Sequence, residues 1–462
     1  MADQRANALQ YARSNKEKFL STFKEILAVP SISTDKTHMP DIQRAADWLA
    51  LQLRNLGMQK VQLFSTTQSP IVYGECLGVP AAPTVLIYGH YDVQPVDPLD
   101  LWKTGPFEPT VIGDDIFARG ASDMKGQAVI TLKAVESLAQ TGGLPINIKW
   151  LFEGEEEVGS PNLEAFIASH TDLLACDFAV NPDSGMIGRD YPTITYGLRG
   201  LAYFELRVFG PAHDLHSGMY GGVVHNPANV LAELIAGMHD DAGRITLPGF
   251  YTSVRELSVE ERQELARLPI DDKHYLEQTG VPGLYGEAGF TANEQTGARP
   301  TLDVNGLLSG FTSEGSKTVI PTWAMAKLST RLVPDQDPEE VHQQLLRYLE
   351  QNAPDDVRWE LKTLTGNPAS ISDRNNPAVQ AMAKALESVW GQRPYFKREG
   401  GSIPVVGDMQ RLLSVESVIC GFGLPDDNVH APNEKQNLPT WYRGIDAYIH
   451  FFMNLKPDSN GR

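Results

Sequence analysis

Histidine and acidic residues follow two short apolar runs of this sequence, at points where buried strands are predicted to end. The run TVLIYG is followed at once by His90 and, two residues later, by Asp92. The run INIKWLF leads into a cluster of glutamates: Glu153, Glu155, Glu156 and Glu157. A solvated acidic turn would explain this concentration of negative charge, and so would a site that binds metal ions or moves protons.

Three further residues of this kind stand in comparable positions. Asp183 follows the run CDFAVN, and His430 follows SVICGFG after a short loop. Asp123 lies in a glycine-rich turn, RGASDMKG, just before a predicted helix. Two histidines with several carboxylates form a mixed nitrogen and oxygen donor set that suits Zn²⁺, Mn²⁺ or Co²⁺. With one carboxylate shared between ions, the set fits a two-metal site that supports hydrolysis.

Each of these residues also has a purely structural explanation. His90 could be a hydrogen-bonded histidine at a strand end, and Asp123 could cap the helix that follows it. Asp183 could serve a Pro-Asp-Ser-Gly turn, and His430 could be a solvated loop histidine. Their common position after buried strands favours a shared site, because ligands of open α/β sheets bind at the carboxyl ends of the strands.

The apolar patterns predict the elements that would hold these residues. Short, mainly apolar runs at 84–89, 146–152 and 176–181 are typical of strands buried on both faces. Helical spacing of apolar residues covers 7–28 and 41–56. Strands that alternate with helices predict an α/β fold with a largely parallel, helix-covered sheet.

The pattern changes near residue 197. Apolar and polar residues alternate over 201–210, 318–333 and 357–364, which predicts half-exposed antiparallel strands. Residues 338–353 between them have helical spacing, whereas 246–300 give no clear pattern. These elements predict a separate α+β domain that is inserted into the first.

The domain boundaries follow from this change and from the return of the earlier pattern after about residue 370. We expect a catalytic domain in two parts, residues 1–196 and 369–462. The inserted domain would comprise residues 197–368.

The composition excludes some classes of function. The 462 residues carry a net charge of −19, which argues against nucleic acid or an anionic membrane as a partner. No apolar run is long enough for a membrane span, and the first residues lack the apolar core of a signal peptide. The cysteines are three in number and widely spaced, which indicates a reducing compartment, so a cytoplasmic location is predicted.

Eight segments resemble the signature blocks of the M20 metallopeptidases, most closely those of the cytosolic dipeptidase and carnosinase branch. In chain order they are HYDVQPV, RGASDMKG, EGEEEVGS, NPDSG, DLHSGMYGG, STRLVPD, REGGSIP and VHAPNEK. The resemblance covers most of the chain. It implies a zinc-peptidase-like catalytic domain, and an inserted domain that serves dimerisation and acts as a lid.

The resemblance also implies a ligand set for two divalent metal ions in each subunit. One ion would be held by His90 and Asp183, and the other by Glu157 and His430, with Asp123 bridging both. Zn²⁺ is the first expectation, and Mn²⁺ and Co²⁺ also suit these ligands.

Glu156 matches the general base of the family. A hydroxide bridging the ions would attack the peptide carbonyl, and Glu156 would pass the proton of the water to the leaving amine. Asp92 would accept the other ring N–H of His90 and fix its tautomer. A shift of the alignment by one residue would instead make Glu155 the base. Otherwise Glu155 is expected to be a solvated charge, and no role follows for Glu153.

Residues of the inserted domain are implicated as well. His216 would act in trans in a homodimer, reaching the partner's active site to stabilise the oxyanion. Arg331 would bind the terminal carboxylate of the substrate, with donors from Gly401 and Ser402. The structural alternatives are a turn histidine and an exposed charge.

The predicted function is metal-dependent hydrolysis of dipeptides or short peptides with a free C-terminal carboxylate. One alternative is an M20 deacylase that removes the acyl group from an N-acyl amino acid by the same chemistry. Another is a non-catalytic relative that binds peptides or metal. A nucleophilic serine is not expected, because the chain has no Gly-x-Ser-x-Gly motif.

Overall fold

The computed structural model describes residues 2–457 of the chain, which form two compact units. Unit 1 comprises the residues up to Tyr196, Ser372–Phe396 and the residues from Asp408 onward. Unit 2 comprises Gly197–Ile371 and Lys397–Gly407. The segment Lys397–Gly407 thus lies in unit 2, whereas the boundaries drawn from the sequence place it in the catalytic domain.

The elements are numbered in chain order. The helices are α1 (Ala2–Ser14), α2 (Lys16–Leu27), α3 (Met39–Asn55), α4 (Lys125–Thr141), α5 (Leu163–Ser169), α6 (Thr171–Leu174), α7 (Ser217–Tyr220), α8 (Pro227–Ala236), α9 (Val259–Ala266), α10 (Asp272–Thr279), α11 (Ala292–Ala298), α12 (Pro338–Asn352), α13 (Pro377–Trp390), α14 (Pro404–Leu413) and α15 (Leu438–Asn454). Short 3₁₀ turns cover Lys36–His38, Leu99–Leu101 and Glu156–Val158.

The strands are β1 (Lys60–Phe64), β2 (Ile71–Cys76), β3 (Thr84–His90), β4 (Thr110–Ile112), β5 (Asp115–Phe117), β6 (Asn147–Glu153), β7 (Phe178–Asn181), β8 (Thr193–Leu198), β9 (Gly200–Phe209), β10 (Leu215–His216), β11 (Thr301–Ser309), β12 (Val319–Ile320), β13 (Trp323–Leu332), β14 (Arg358–Asn367), β15 (Ser370–Ile371), β16 (Tyr395–Glu399), β17 (Ser417–Ile419) and β18 (Lys435–Asn437).

Unit 1 is built on a mixed, mostly parallel sheet. Its strands run in the order β1-β2-β6-β3-β7-β17-β8. The neighbours β6, β3, β7 and β17 are parallel, and antiparallel strands flank them on both sides. The predicted α/β class with a largely parallel sheet is confirmed.

Burial explains why these strands are so apolar. Every residue of β6 is buried, including the large side chain of Trp150, as in parallel strands that are covered on both faces. The helix α4 is buried continuously from Lys125 to Leu138 and packs against α1 and α15. The four parallel strands are therefore anchored in the core, and their carboxyl ends are held in a fixed arrangement.

Unit 2 contains a four-stranded antiparallel sheet in the order β11-β13-β9-β14. The buried residues of β9 alternate with less buried ones, as its sequence pattern predicts. Its side chains Phe204, Leu206 and Val208 join residues of α8 and α12 in one apolar core. Asn226 caps α8 by accepting the N–H of Ala228 at 2.9 Å.

Two parts of the chain differ from the sequence-based expectation. The predicted helix at 7–28 is two helices, α1 and α2, with a break at Asn15. Residues 246–300 contain three short helices, each begun by a side-chain cap: Ser258, Asp271 and Thr291. Among residues 2–457, no helix is long and apolar enough to cross a membrane.

Candidate metal centre

The carboxyl ends of the parallel strands carry the residues that the sequence singled out. His90 is the last residue of β3, and Asp183 lies two residues after the end of β7. Glu156 and Glu157 begin the 3₁₀ turn that follows β6. His430 lies in the loop between β17 and β18, in the left-handed region with a φ of 61°.

One group of donor atoms forms around His90. Its Nε2 atom lies 3.1 Å from Oδ1 of Asp123 and 3.7 Å from Oδ2 of Asp183. His90 is fully buried, and one ligand atom from each of these three residues lies within 4.8 Å of the others. The three residues could therefore hold one metal ion.

A second group uses the other oxygen of the same aspartate. Oδ2 of Asp123 lies 2.8 Å from Nε2 of His430, and Oε2 of Glu157 lies 3.3 Å from that nitrogen. These ligand atoms also lie within 4.8 Å of one another. Asp123 thus belongs to both groups and presents one carboxylate oxygen to each histidine.

The electrostatics of the cluster fit divalent cations. Burial raises the pKa of Asp183 well above its usual value, and the charge of Asp123 raises it further while His90 opposes both. Burial likewise raises the pKa of Glu156 to about 7; His90 lowers it, and the carboxylates of Glu157 and Asp123 raise it. So many crowded carboxylates leave negative charge that a bound cation would compensate. The residues therefore fit the two-metal site that the sequence suggests.

Asp92 joins the imidazole to the glutamate turn. Its side chain is fully buried, and Oδ1 lies 3.4 Å from Nδ1 of His90. The same carboxylate accepts the backbone N–H of Glu156 at 3.3 Å and that of Glu157 at 3.1 Å. Asp92 therefore fixes the turn that carries both glutamates relative to the ring of His90.

Glu157 has a further partner that the sequence did not indicate. Gln94 donates a hydrogen bond of 2.8 Å from its Nε2 to Oε2 of Glu157. The side chain of Glu157 is only 2% exposed, so this hydrogen bond fixes the orientation of a buried carboxylate. In the sequence, the position of Gln94 two residues after Asp92 is the one signal that could have identified it as a residue of this site.

The expectation for Glu155 is wrong. Its side chain is buried instead of solvated, and its carboxylate accepts hydrogen bonds from the N–H of Ser69, the amide of Asn162 and the hydroxyl of Thr66. Glu155 therefore connects the glutamate turn to two other segments of unit 1.

Glu153, which had no predicted role, is also buried in the core. It accepts hydrogen bonds from the hydroxyls of Tyr88 at 2.7 Å and Ser160 at 2.9 Å. Burial raises the pKa of Glu153 to about 8, and the hydrogen bond from Tyr88 opposes that rise. Gly154 beside it has no room for a side chain, because a Cβ there would lie 2.5 Å from the ring of Tyr91.

Asp123 does not cap helix α4, and the side chain of Asp183 does not stabilise the Pro-Asp-Ser-Gly turn. Helix α4 has Met124 at its N-cap position, and the carboxylate of Asp123 faces the two histidines. In the Pro-Asp-Ser-Gly turn, the N–H of Asp183 is accepted by the side chain of Asn181, so Asn181 stabilises the turn. The side chain of Asp183 is left to face His90.

The predicted residues of the inserted domain lie in unit 2. Arg331 is half-buried on β13 and donates a hydrogen bond of 3.2 Å to the hydroxyl of Ser402, next to the exposed Gly401. His216 is exposed at the start of α7, where its Nδ1 accepts the N–H of Gly218.

Arg199 is a second arginine near this group, and the sequence gave no sign of it. Its Nε donates to the carbonyl of Gly400 at 3.2 Å, across 201 residues of sequence. Burial and then the charge of Arg331 lower its pKa to about 10. Arg199 therefore supports the segment that carries Gly401 and Ser402, and it adds positive charge beside Arg331.

The sequence model of the peptidase family M20/M25/M40 matches residues 86–454 of the chain. The chain belongs to this family. The matched range includes every residue of the candidate metal centre and every candidate residue of unit 2, so all of them lie within the part of this M20 chain that the family defines.

Known members of the family resemble this M20 chain over nearly its full length. The Cys-Gly metallodipeptidase DUG1 of Candida albicans is 31% identical over 95% of this chain and 95% of its own. The human Beta-Ala-His dipeptidase is 30% identical over 96% of this chain and 92% of its own. Among solved structures, the M20 family metallo-carboxypeptidase Sso-CP2 from Sulfolobus solfataricus superimposes with a TM-score of 0.83 at 35% identity, covering 95% of this chain and 99% of that protein.

Proposed function

We propose that this M20 chain is a metal-dependent dipeptidase that hydrolyses dipeptides or short peptides with a free C-terminal carboxylate. The observation that carries the proposal is the pair of donor groups sharing Asp123, with Glu156 beside them. The similarity to a Cys-Gly metallodipeptidase and to a Beta-Ala-His dipeptidase supports dipeptides as substrates.

Two divalent metal ions would be held by the residues of the centre. We assign His90 and Asp183 to one ion, Glu157 and His430 to the other, and Asp123 to both. Zn²⁺ is the first expectation, with Mn²⁺ and Co²⁺ as alternatives, because all three accept imidazole and carboxylate ligands. The bound ions would supply Lewis acidity toward the scissile carbonyl and toward the attacking water.

Glu156 is the residue that we assign to proton transfer. Its carboxylate would take a proton from the attacking water and deliver it to the leaving amine. Its position supports this role, since Asp92 fixes its backbone and the metal ligand Glu157 follows it directly. The hydrogen bonds that hold Glu155 to Ser69, Thr66 and Asn162 argue against Glu155 as the base. Asp92 would also keep the ring of His90 oriented with Nε2 toward the ion.

Substrate binding is assigned to three residues of unit 2. Arg331 would pair with the C-terminal carboxylate, since a guanidinium and a carboxylate form strong charge-assisted hydrogen bonds. The hydroxyl of Ser402 already accepts a hydrogen bond from Arg331, which supports a common site. The backbone of Gly401 would supply a further donor.

A panel of substrates tests this function. Dipeptides should be hydrolysed, and a C-terminally amidated dipeptide should lose roughly 10- to 100-fold in kcat/KM, because one hydrogen-bonded charge is removed. N-acetyl amino acids and longer peptides complete the panel. Turnover confined to N-acetyl amino acids would establish the deacylase instead. A preference for longer peptides would point to a carboxypeptidase, the activity named for the relative Sso-CP2. A metal-loaded protein without any turnover would be the non-catalytic relative.

We further propose a homodimer in which His216 acts in trans on the partner's oxyanion. Unit 2 leaves several large apolar side chains exposed, among them Met219, Val223 and Leu307, and a second subunit would cover such residues if they lie in its interface. His216 itself is exposed, so it is accessible to a second subunit.

Mixing two inactive variants tests the trans arrangement. His216→Ala and Glu156→Gln should each be nearly inactive alone. In a mixed dimer, one site would combine an intact Glu156 with the partner's intact histidine, so activity should return to about a quarter of the wild-type value with random pairing. No recovery, in a mixture shown to exchange subunits, would place His216 in cis or outside the reaction.

A further inference from the structure

Glu434 is a fully buried carboxylate that collects hydrogen bonds from the turn that carries Asp123. Its Oε1 atom accepts the backbone N–H of Ser122 at 3.0 Å and of Asp123 at 3.1 Å. Its Oε2 atom accepts the N–H of Gly120 at 2.9 Å and Nη1 of Arg119 at 2.7 Å. Three backbone N–H groups of one turn therefore depend on a single side chain more than 300 residues away in sequence.

The charge of Glu434 is compensated inside the protein. Arg119 is only 1% exposed and pairs with it directly. The same guanidinium donates to the carbonyl of Pro95 at 2.9 Å and lies over the ring of Trp102. Removal of either partner of a buried, hydrogen-bonded ion pair of this kind would leave an unpaired charge in the core and would destabilise the protein strongly.

Glu434 also ends the loop that carries His430. This loop has positive φ angles at Asn428, His430 and Asn433, a conformation that non-glycine residues adopt only when other contacts hold them. Asn433 supplies such contacts, since it accepts the N–H of Lys103 and donates to the carbonyl of Leu101. Together, Asn433 and Glu434 anchor the carboxyl-terminal side of the loop.

We propose that Glu434 is a positioning residue for the metal pair. Glu434 holds the Asp123 turn and the His430 loop at the separation that binding of both ions requires. The hydrogen bonds of Glu434 come from backbone N–H groups and from Arg119. Glu434 acts through the backbone of Asp123 and through the loop that carries His430. Asp123 belongs to both donor groups, and His430 belongs to one of them. The inference rests on the proposed function only in that metal ions bind at this centre.

The test is the affinity of the metal-free protein for added Zn²⁺ or Mn²⁺, measured by titration calorimetry. Glu434→Gln keeps the size of the side chain, but an amide NH₂ would face donors that need an acceptor. Residues that orient metal ligands typically contribute 10- to 100-fold to metal affinity, so we expect the affinity of this variant to fall at least ~10-fold. Circular dichroism and thermal unfolding of the metal-free variant would establish that it is folded.

Glu136 offers a matched control within the same unit. It is another buried glutamate, and it accepts hydrogen bonds from Lys18 at 2.6 Å and Lys133 at 2.7 Å. Glu136→Gln removes a paired buried charge in the same way, yet it shares no partner with Asp123 or His430. Its metal affinity should therefore stay within about twofold of the wild type, whatever its stability.

The outcomes separate this inference from the proposed function. Unchanged metal affinity in folded Glu434→Gln would overturn the positioning role, and so would an equal loss in Glu136→Gln. If Glu434→Gln does not fold, Glu434→Asp, which keeps the charge but is shorter by one methylene, is judged by the same affinity criterion. A wild-type protein that binds metal without hydrolysing dipeptides would contradict the proposed function, yet it would leave this inference intact.

Discussion

Glu156→Gln is expected to lower kcat by at least ~10²-fold while the protein keeps its metal, since general-base catalysis commonly contributes 10²–10⁴-fold. Glutamine has nearly the same size as glutamate, but its amide cannot take a proton from water. The backbone of residue 156 would still donate to Asp92, so the turn should persist. Steady-state kinetics at saturating metal, with metal content measured on the same preparation, would check the result.

Glu155→Gln is the control for this experiment. Glu155 is the adjacent carboxylate of equal charge, but its hydrogen bonds go to Ser69, Thr66 and Asn162. We expect this variant to lose stability by about 1–3 kcal/mol, because buried donors lose a charged acceptor, while kcat changes little. If instead Glu155→Gln is the inactive variant and Glu156→Gln is active, the assignment is off by one residue.

The clustering of the candidate metal ligands could be predicted because the determining signal is local. Each buried strand is visible as an apolar run, and the polar residue after it must lie at the carboxyl edge of the sheet. His90 and Asp183 are located in this way, since neighbouring parallel strands bring their ends together. The resemblance to the family added the roles of Glu156 and Glu157, which the pattern of four glutamates does not distinguish.

Apart from Asp92, the supporting residues could not be predicted, because their partners are far away in sequence. Glu155 reads as one more surface charge until the fold brings Ser69 to its carboxylate, across 86 residues. Arg199 and Gly400 are 201 residues apart, and Glu434 and Asp123 are 311 apart. No periodicity or turn signal encodes such a contact, so the donor groups are visible in the sequence whereas these distant supporting residues are not.

The break between α1 and α2 could not be predicted for a different physical reason. Apolar spacing continues through 7–28, so it predicts one helix, but Asn15 turns its side-chain amide to the carbonyl of Tyr11. Asparagine competes with the backbone for hydrogen bonds in this way and is a weak helix former. Spacing reports which face is buried, and it does not report such a local interruption.

Asp123→Asn should have the largest effect on metal content, because Asp123 is the residue common to both donor groups. Asparagine offers one neutral oxygen where the carboxylate presents an anionic oxygen to each histidine. Loss of a residue that only orients a metal ligand lowers metal affinity about 10- to 100-fold. Loss of a shared ligand should therefore lower the affinity for each ion by more than ~100-fold. Metal analysis after dialysis against a fixed low concentration of free metal should find neither ion retained, and activity should be lost with them.

Asp183→Asn provides the comparison that makes this prediction specific. Asp183 belongs only to the group around His90, so its variant should lose one ion and keep the one near Glu157 and His430. A variant at Asp123 that retained both ions would contradict a bridging role, and an equal loss in both variants would show that the ions bind as a pair and not through separate groups. The difference in stoichiometry between the variants therefore measures what the shared carboxylate contributes. That difference depends only on metal binding, and it can be read without any substrate.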